Sequence, residues 1–333
     1  GVTFLLGAIM ALSQHILKRL LAYTTVSALG AMVMLIGIGS KYTIKAMIVF
    51  LIAHAFYKAA LFMIAGSLTH ETGEKSIDKL GGLRKIMPYT FIGAIIAGLS
   101  MGGFPPLVGF VAKEVWLHAL GSNTALTVAT VIGGIAYVFV GLSVGLKPFI
   151  GAVPEKLRVH EAPILMSIGP ILLGIGSILM AFFCGFIGSN LVSPAAMAVY
   201  GKSFSVELQL WEGFNRYLYI SFLTLLLGII AFRFRLFFLE LGKKFSLVSK
   251  FGPEGGYKYL LLGVLGFAAW LTKRVQTGLL RDYIRVIILF AVSLVLVTFW
   301  RSGITFEIVD PLWQPQIILL VSLMAVAAIS AIL

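Results

Sequence analysis

The chain has 333 residues, of which 59% are hydrophobic and only 12% charged, against about 25% charged in an ordinary soluble domain. That balance excludes a soluble enzyme or binding module and leaves an all-α integral membrane protein, a polytopic helical bundle, as the expected fold class. The net charge of +13 does not signal a nucleic-acid partner, because the bases sit in short loops between apolar runs and not on one soluble face.

A membrane-spanning helix needs about 20 apolar residues. In chain order the expected spans are a partial one at 2–14, then 20–39, 44–68, 89–120, 124–146, 164–188, 217–234, 283–300 and 313–333. The chain opens inside an apolar run, with no initiator Met and no visible signal peptide, which reads as a chain cut from something longer. The single cysteine, Cys184, can form no internal disulfide, and its neighbours Phe182, Phe183 and Phe186 make it a small buried apolar residue.

Alternating the loops places Lys18, Arg19, Lys75, Lys79, Arg84, Lys85, Lys147, Lys156, Arg158, Arg233, Arg235, Lys243, Lys244 and Lys250 on one side of the membrane. Lys41 and Lys202 fall on the other, and fourteen bases against two orient the first side toward the cytoplasm.

Three segments depart from a plain span. The run 255–277 has only fourteen residues between Lys258 and Lys273, roughly 21 Å of helix against a hydrocarbon core of about 30 Å. A helix lying in the cytoplasmic interface, with Lys258, Lys273 and Arg274 reaching the headgroups, fits it better than a tilted span. The second is 88–120, interrupted by Gly98, Gly102, Gly103, Pro105 and Pro106. Broken helices persist at membrane depth where protein or a water-filled cavity satisfies the freed backbone. Lys113 and Glu114 begin about two turns past that break.

The third is 44–68, which carries Lys58 near its middle, 13 residues past Lys45 and so roughly 20 Å deeper along the helix axis. A charge at that depth costs about 3 kcal/mol on insertion scales and marks an ion or proton path. The alternative is a structural lysine held by backbone carbonyls or a buried carboxylate. His54 stands four residues earlier on the same helix face, within reach directly or through one water, and imidazole suits a relay. Lys113 and Glu114 point about 100° apart, so Lys113 is expected to find its partner on another helix or in water. Glu114 shares a face with His118, which otherwise marks the helix end. Thr24, Thr25 and Ser27 either bond back to their own helix or line a hydrated path. No Walker loop, Cys/His metal spacing or nucleophile elbow is present, and acidic residues are too scarce for a multi-carboxylate metal site. Neither an enzyme nor a cofactor is expected.

Three ordered motifs carry a family resemblance. The run Gln14-His15-Ile16-Leu17-Lys18-Arg19-Leu20-Leu21-Ala22-Tyr23-Thr24-Thr25-Val26-Ser27 resembles the QxDLKRLLAYSTVS run of proton-translocating antiporter-like subunits. His54-Ala55-Phe56-Tyr57-Lys58-Ala59 is similar to their HAxxKA helix, and Gly103-Phe104-Pro105-Pro106-Leu107-Val108-Gly109-Phe110-Val111-Ala112-Lys113-Glu114 to their broken-helix motif. That superfamily includes respiratory complex I, membrane-bound hydrogenases and Mrp-type multisubunit cation/proton antiporters. The runs His70-Glu71-Thr72-Gly73, Ser193-Pro194-Ala195-Ala196, Trp211-Glu212-Gly213-Phe214-Asn215 and Gln276-Thr277-Gly278-Leu279-Leu280-Arg281-Asp282-Tyr283 resemble the large A subunit of the Mrp antiporter.

The resemblance implies roles. Lys58 would be the central lysine of a proton half-channel, His54 its hydrated neighbour, Lys113 the terminal lysine on the broken helix, and Lys18 a lysine near the cytoplasmic end. Ile16 replaces the family's aspartate, so Lys18 lacks that local partner, and Phe50 stands where complex I relatives often have a second histidine. The implied organisation is the C-terminal half of an antiporter-like channel at 1–150, further transmembrane helices and loops at 151–254, a lateral helix at 255–280 and terminal spans at 281–333. The implied setting is a multi-pass subunit in the cell membrane, with the other subunits of the complex, protons, Na+ and the lipid bilayer as partners. The rival readings are an antiporter-like subunit of a redox-driven complex and a structural membrane subunit with unused lysines.

Overall fold

Where no water can solvate the backbone, helices satisfy their own amides, and the described residues of this chain are helical throughout apart from its loops. The computed structural model describes residues 1–121, 123–154, 159–211, 213–244 and 253–302, with 319, 322 and 323 as isolated positions. It divides into two compact units, Gly1–Ser246 and Leu247–Leu333.

The first unit contains α1 (Val2–Leu12), α2 (Leu17–Ile38), α3 (Lys41–Thr72), α4 (Pro88–Gly102), α5 (Val108–Leu120), α6 (Thr124–Gly145) and α7 (Ile164–Phe182). After these come α8 (Cys184–Ile187), a π-helical turn (Gly188–Val192), α9 (Ser193–Tyr200), α10 (Arg216–Arg233) and α11 (Arg235–Lys244). Segments 17–38, 41–72, 124–149, 164–182 and 216–233 are long and apolar enough to cross a membrane, and the protein is an all-α polytopic membrane protein.

Helix α3 is the hub. Its 32 residues span roughly 48 Å at 1.5 Å per residue, and it packs on α2, α4, α5, α7 and α9. A helix apolar all round belongs inside a bundle, and α3 buries residues on most of its faces. Ser40 and Thr43 form a reciprocal capping box at its start, and Gly73, in the left-handed conformation, closes it. Helices α6 and α10 begin on the side chains of Asn123 and Asn215, which accept from the amides of Leu126 and Leu218. Helix α4 is capped from outside: Glu161 accepts from the Tyr89 amide at 2.8 Å and the Thr90 hydroxyl at 2.6 Å. The neighbouring His160 lies 2.9 Å from the buried carboxylate of Glu71 on α3.

One end of the unit is tied together by the loops expected to share a membrane side. Ile16 and Ser76 form a β-bridge, the Lys147 ammonium donates to the Leu80 carbonyl at 2.8 Å, and the Gly82 amide donates to the Ile150 carbonyl at 3.0 Å. Asp78 accepts from Arg235, the first residue of α11, and pairs with His15 at 2.6 Å. Partial burial raises the Asp78 carboxyl, but the hydrogen bonds and charges of His15 and Arg235 outweigh it and hold the group below the usual carboxylate range. At the other end the Lys45 ammonium donates to the Glu207 carbonyl at 2.8 Å.

Two features differ from expectation. The span expected over 164–188 stops at Phe182, and a second apolar helical segment, Cys184–Tyr200, follows. Ser189 and Asn190 look like loop residues but bond back to the carbonyls of Gly185 and Phe186, so the helix continues through them. Cys184 is buried, with its sulfur 3.5 Å from the Leu208 carbonyl. The 235–244 helix was not expected at all; it begins at Arg235, whose side chain is buried against Asp78.

The second unit contributes α12 (Pro253–Val275) and α13 (Leu280–Ser302). The span expected at 313–333 lies, but for three isolated residues, outside the described residues.

Candidate functional site

Lys58 is 5% exposed, too little for its ammonium to reach solvent. The ammonium crosses to α2, where it donates to the Leu21 carbonyl at 2.7 Å and to the Thr24 hydroxyl. The Phe62 ring lies 5.8 Å away. No carboxylate pairs with Lys58 among the described residues. Both recorded hydrogen-bond partners are therefore neutral oxygens. The Thr24 hydroxyl, which receives this bond, donates to the Leu21 carbonyl at 2.9 Å. Thr25 bonds back to Leu21 on the same helix, whereas Ser27 reaches across to α1, donating to the Phe4 carbonyl at 2.7 Å. Thr24 and Thr25 thus both bond back to their own helix, as one expectation had it, with Thr24 also receiving the Lys58 ammonium, whereas Ser27 fits neither expectation because its partner lies on α1.

His54 shares the α3 face with Lys58, but the described contacts contain no direct hydrogen bond between them, because the ammonium has turned to α2. Its ring lies 5.5 Å from Tyr57 and 6.1 Å from Phe50, and its Nε2 is buried without a hydrogen-bond partner among the described residues. Phe50 stacks parallel on Tyr137 at 6.3 Å and meets the Trp116 ring edge-on at 4.9 Å. Phe50, Tyr137 and Trp116 thus form an aromatic cluster one turn before His54.

Helix α4 ends at Gly102, and α5 begins at Val108. Gly103 between them adopts φ +72°, and the Lys113 ammonium donates to its carbonyl at 2.9 Å. The partner expected on another helix or in water is the break itself. The last carbonyls of a helix have no intrahelical donors and carry the negative end of its dipole, so an ammonium is favoured there. Pro105 and Pro106 occupy the turn and cannot donate amides that the break would leave unsatisfied. A Cβ on Gly109 would lie 1.7 Å from the Ser100 carbonyl oxygen, so α5 passes α4 at a distance only glycine permits.

Glu114 lines a small pocket with Gln209, Trp211, Asn215 and Leu218. His118 meets the same segment, with its ring 4.1 Å from Tyr217 and its Nε2 3.5 Å from Asn215. The shared face of Glu114 and His118 is therefore real, and it is turned to the 209–218 loop and start of α10. Lys18 is exposed in the first turn of α2, three residues before Leu21. The contacts do not bring it to Lys58.

A cavity lies beside Lys113, and Lys58 is not among the residues that line it. Tyr57, beside Lys58, and Lys113 both line it, together with Phe50, Trp116, Thr130 and Tyr137. Its volume is about 40 Å³, enough to admit water. Sequence reasoning missed Trp116, Thr130 and Tyr137, although Trp116 lies one turn after Lys113 and Tyr137 puts a hydroxyl in the middle of an apolar span.

The family described as NADH:quinone oxidoreductase/Mrp antiporter, TM, matches residues 1–140. The A subunit of the Na(+)/H(+) antiporter of Alkalihalophilus pseudofirmus is 34% identical, over 99% of this chain and 46% of that protein. Its counterpart of the same name in Bacillus subtilis is 31% identical, over 85% of this chain and 39% of that protein. The chain thus spans less than half the length of these relatives. Among solved structures, the Mrp complex from a Dietzia species has a chain 26% identical with a TM-score of 0.68, covering 99% of this chain and 38% of that one. A membrane-bound sulfane sulfur reductase, an archaeal respiratory membrane complex, shares the fold at 24% identity, with a TM-score of 0.58 over 88% of this chain and 54% of that one.

Proposed function

Because residues 1–140 match the NADH:quinone oxidoreductase/Mrp antiporter membrane family, we propose that the chain is a proton-translocating part of a multisubunit monovalent cation/proton antiporter. One observation carries the reading: Lys58 is buried at mid-span with its two hydrogen bonds on neutral oxygens and no carboxylate paired with it among the described residues. The Leu21 carbonyl would hold a structural lysine equally well, and the exchange assay below decides between the two. An ammonium held that way can give up a proton without leaving a stranded anion behind it, which a lysine locked in an ion pair cannot do. Protons pass between Lys58 and Lys113 through the cavity that Tyr57 and Lys113 line, with His54 as the hydrated neighbour of Lys58. Glu114 and Lys18 serve the two ends of this path, and the break at Gly103, Pro105 and Pro106 supplies the oxygen that holds Lys113.

In the assembled complex the proton flux is coupled to Na+ movement across the cell membrane, and the other subunits are its partners. Segment 1–150 is the half-channel, 151–254 its additional helices, 255–280 a lateral helix at the membrane interface and 281–333 the terminal spans. The lateral role is supported by Lys258 near the start of the apolar run in α12 and by Lys273 and Arg274 at its end.

The test is Lys58→Ala in the full-length protein within its complex, assayed by cation-dependent dissipation of a pH gradient in everted vesicles. Exchange should be lost while assembly persists. Unchanged exchange removes Lys58 from the mechanism. A gain in thermal stability on replacing both Lys58 and Lys113 by Leu, with exchange intact, would instead favour a structural role in the membrane.

A further inference from the structure

We propose that Tyr137 is a positioning residue of the Lys113 site, fixed by Ser27 so that it presents an acceptor, and no donor, to water in the cavity. The proposal rests on the proton path above and adds to it a residue on α6 that no motif contains.

Donor bookkeeping makes the case. Ser27 is fully buried, and its hydroxyl donates to the Phe4 carbonyl at 2.7 Å. A serine has one hydrogen to give, so in the 3.2 Å contact between Ser27 and Tyr137 the phenol must be the donor. Tyr137 has then spent its own hydrogen, and its remaining hydrogen-bonding capacity is to accept. The ring is held in place by the parallel Phe50 ring at 6.3 Å and by the edge of Phe4 at 6.4 Å.

The same cavity is lined by Trp116 and Thr130, whose Nε1 and Oγ1 are buried without a hydrogen-bond partner among the described residues. Such groups are normally satisfied by water when protein does not reach them. An indole can only donate and a threonine can do both, while the Lys113 ammonium brings donors beyond the one given to Gly103. Water among them meets donors from Trp116 and Lys113 and an acceptor from Tyr137, so its hydrogens are turned away from the lysine and its oxygen toward it. That orientation suits water to receive a proton from Lys113. The other titratable groups here are the Tyr57 phenol, which lines the same cavity, and Glu114, the charged neighbour of Lys113.

The experiment uses the full-length protein in its complex, in everted vesicles, with cation-dependent dissipation of the pH gradient measured across a pH series. Tyr137→Phe keeps the ring and removes the acceptor. It should lower exchange by roughly two- to tenfold, the range one hydrogen bond supplies, and move the pH profile. Ser27→Ala frees the Tyr137 hydrogen and should move the profile too. The double variant should be no worse than Tyr137→Phe alone, since Ser27 acts through Tyr137. An unchanged rate and profile in Tyr137→Phe, or additive losses in the double variant, overturns the proposal. Should Tyr137→Phe not assemble, Ser27→Ala decides: an unmoved profile there overturns it. Lys113→Ala separates the two readings. If it retains exchange, the proton path itself fails, whereas its loss beside an unaffected Tyr137→Phe rejects the role of Tyr137 alone.

Discussion

The ammonium of Lys113 donates to the carbonyl of Gly103 at 2.9 Å, across the interruption between α4 and α5. The break and the lysine are therefore one device. Ending α4 at Gly102 exposes carbonyls at the negative end of its dipole, and α5 returns close enough to set an ammonium on one of them. The hydrogen bond of Lys113 goes to this carbonyl, while the adjacent Glu114 carboxylate acts on the ammonium through its charge.

Gly103→Ala should damage this site twice. The residue sits at φ +72°, a conformation that costs a side chain about 1–2 kcal/mol. Its Cβ would also approach Lys113 Cδ and Nζ to 3.1 Å and Cε to 3.0 Å, so the lysine end must shift by a few tenths of an ångström against the carbonyl it bonds. The expected outcome is a lower melting temperature in detergent together with a large loss of exchange. Wild-type exchange in an assembled Gly103→Ala complex would mean that the Gly103 contact is dispensable.

Thr24→Val removes the hydroxyl beneath Lys58 and leaves shape nearly unchanged. The ammonium keeps the Leu21 carbonyl but loses a partner in a buried setting, where such a loss costs roughly 1–3 kcal/mol. Stability should fall by about that amount, and Thr24→Ser should restore it. Equal melting temperatures for all three proteins would show that another oxygen replaces Thr24 without cost.

Much of this architecture was legible. Spans such as 124–146 announce themselves by apolar length, and Lys58 and Lys113 by the cost of charge at depth. Their partners were not legible, since Leu21 and Gly103 act through backbone oxygens, which every residue has. The tyrosine at 137 could have been noticed as a hydroxyl amid apolar residues, but only three-dimensional packing sets it beside Ser27, 110 positions away. Asp78 was invisible for the same reason: His15 and Arg235 come from opposite ends of the first unit's sequence. The continuation through 184–200 was hidden by Ser189 and Asn190, whose side chains bond back to carbonyls of the preceding turn, and by Pro194, which stands in the first turn of α9 where its missing amide costs little.

Glu161 caps α4 from a distant segment, so Glu161→Ala should loosen the start of that helix by about 0.5–2 kcal/mol, the usual worth of an N-terminal cap. Faster amide hydrogen exchange at Tyr89 and Phe91, with unchanged protection in the middle of α3, is the expected pattern. Protection at Tyr89 equal to the wild type would show that Pro88 alone suffices to start α4.

The clasp of Asp78 with His15 and Arg235 makes a prediction about pH. Partial burial raises the carboxyl, yet the hydrogen bonds and charges of His15 and Arg235 leave it below its ordinary value. A carboxyl depressed in the folded state stabilises that state above its unfolded value of about 3.9, and the contribution is lost as pH falls through the folded value. The clasp therefore holds through neutral and alkaline pH and yields only in acid. Asp78→Asn removes the charge and leaves the buried Arg235 guanidinium without its counter-ion. The variant should melt below the wild type at pH 7 and 9 by similar margins, and the two curves should converge as the pH is taken below about 4. A gap that closes already between pH 9 and 7 would place the titration on a group other than Asp78.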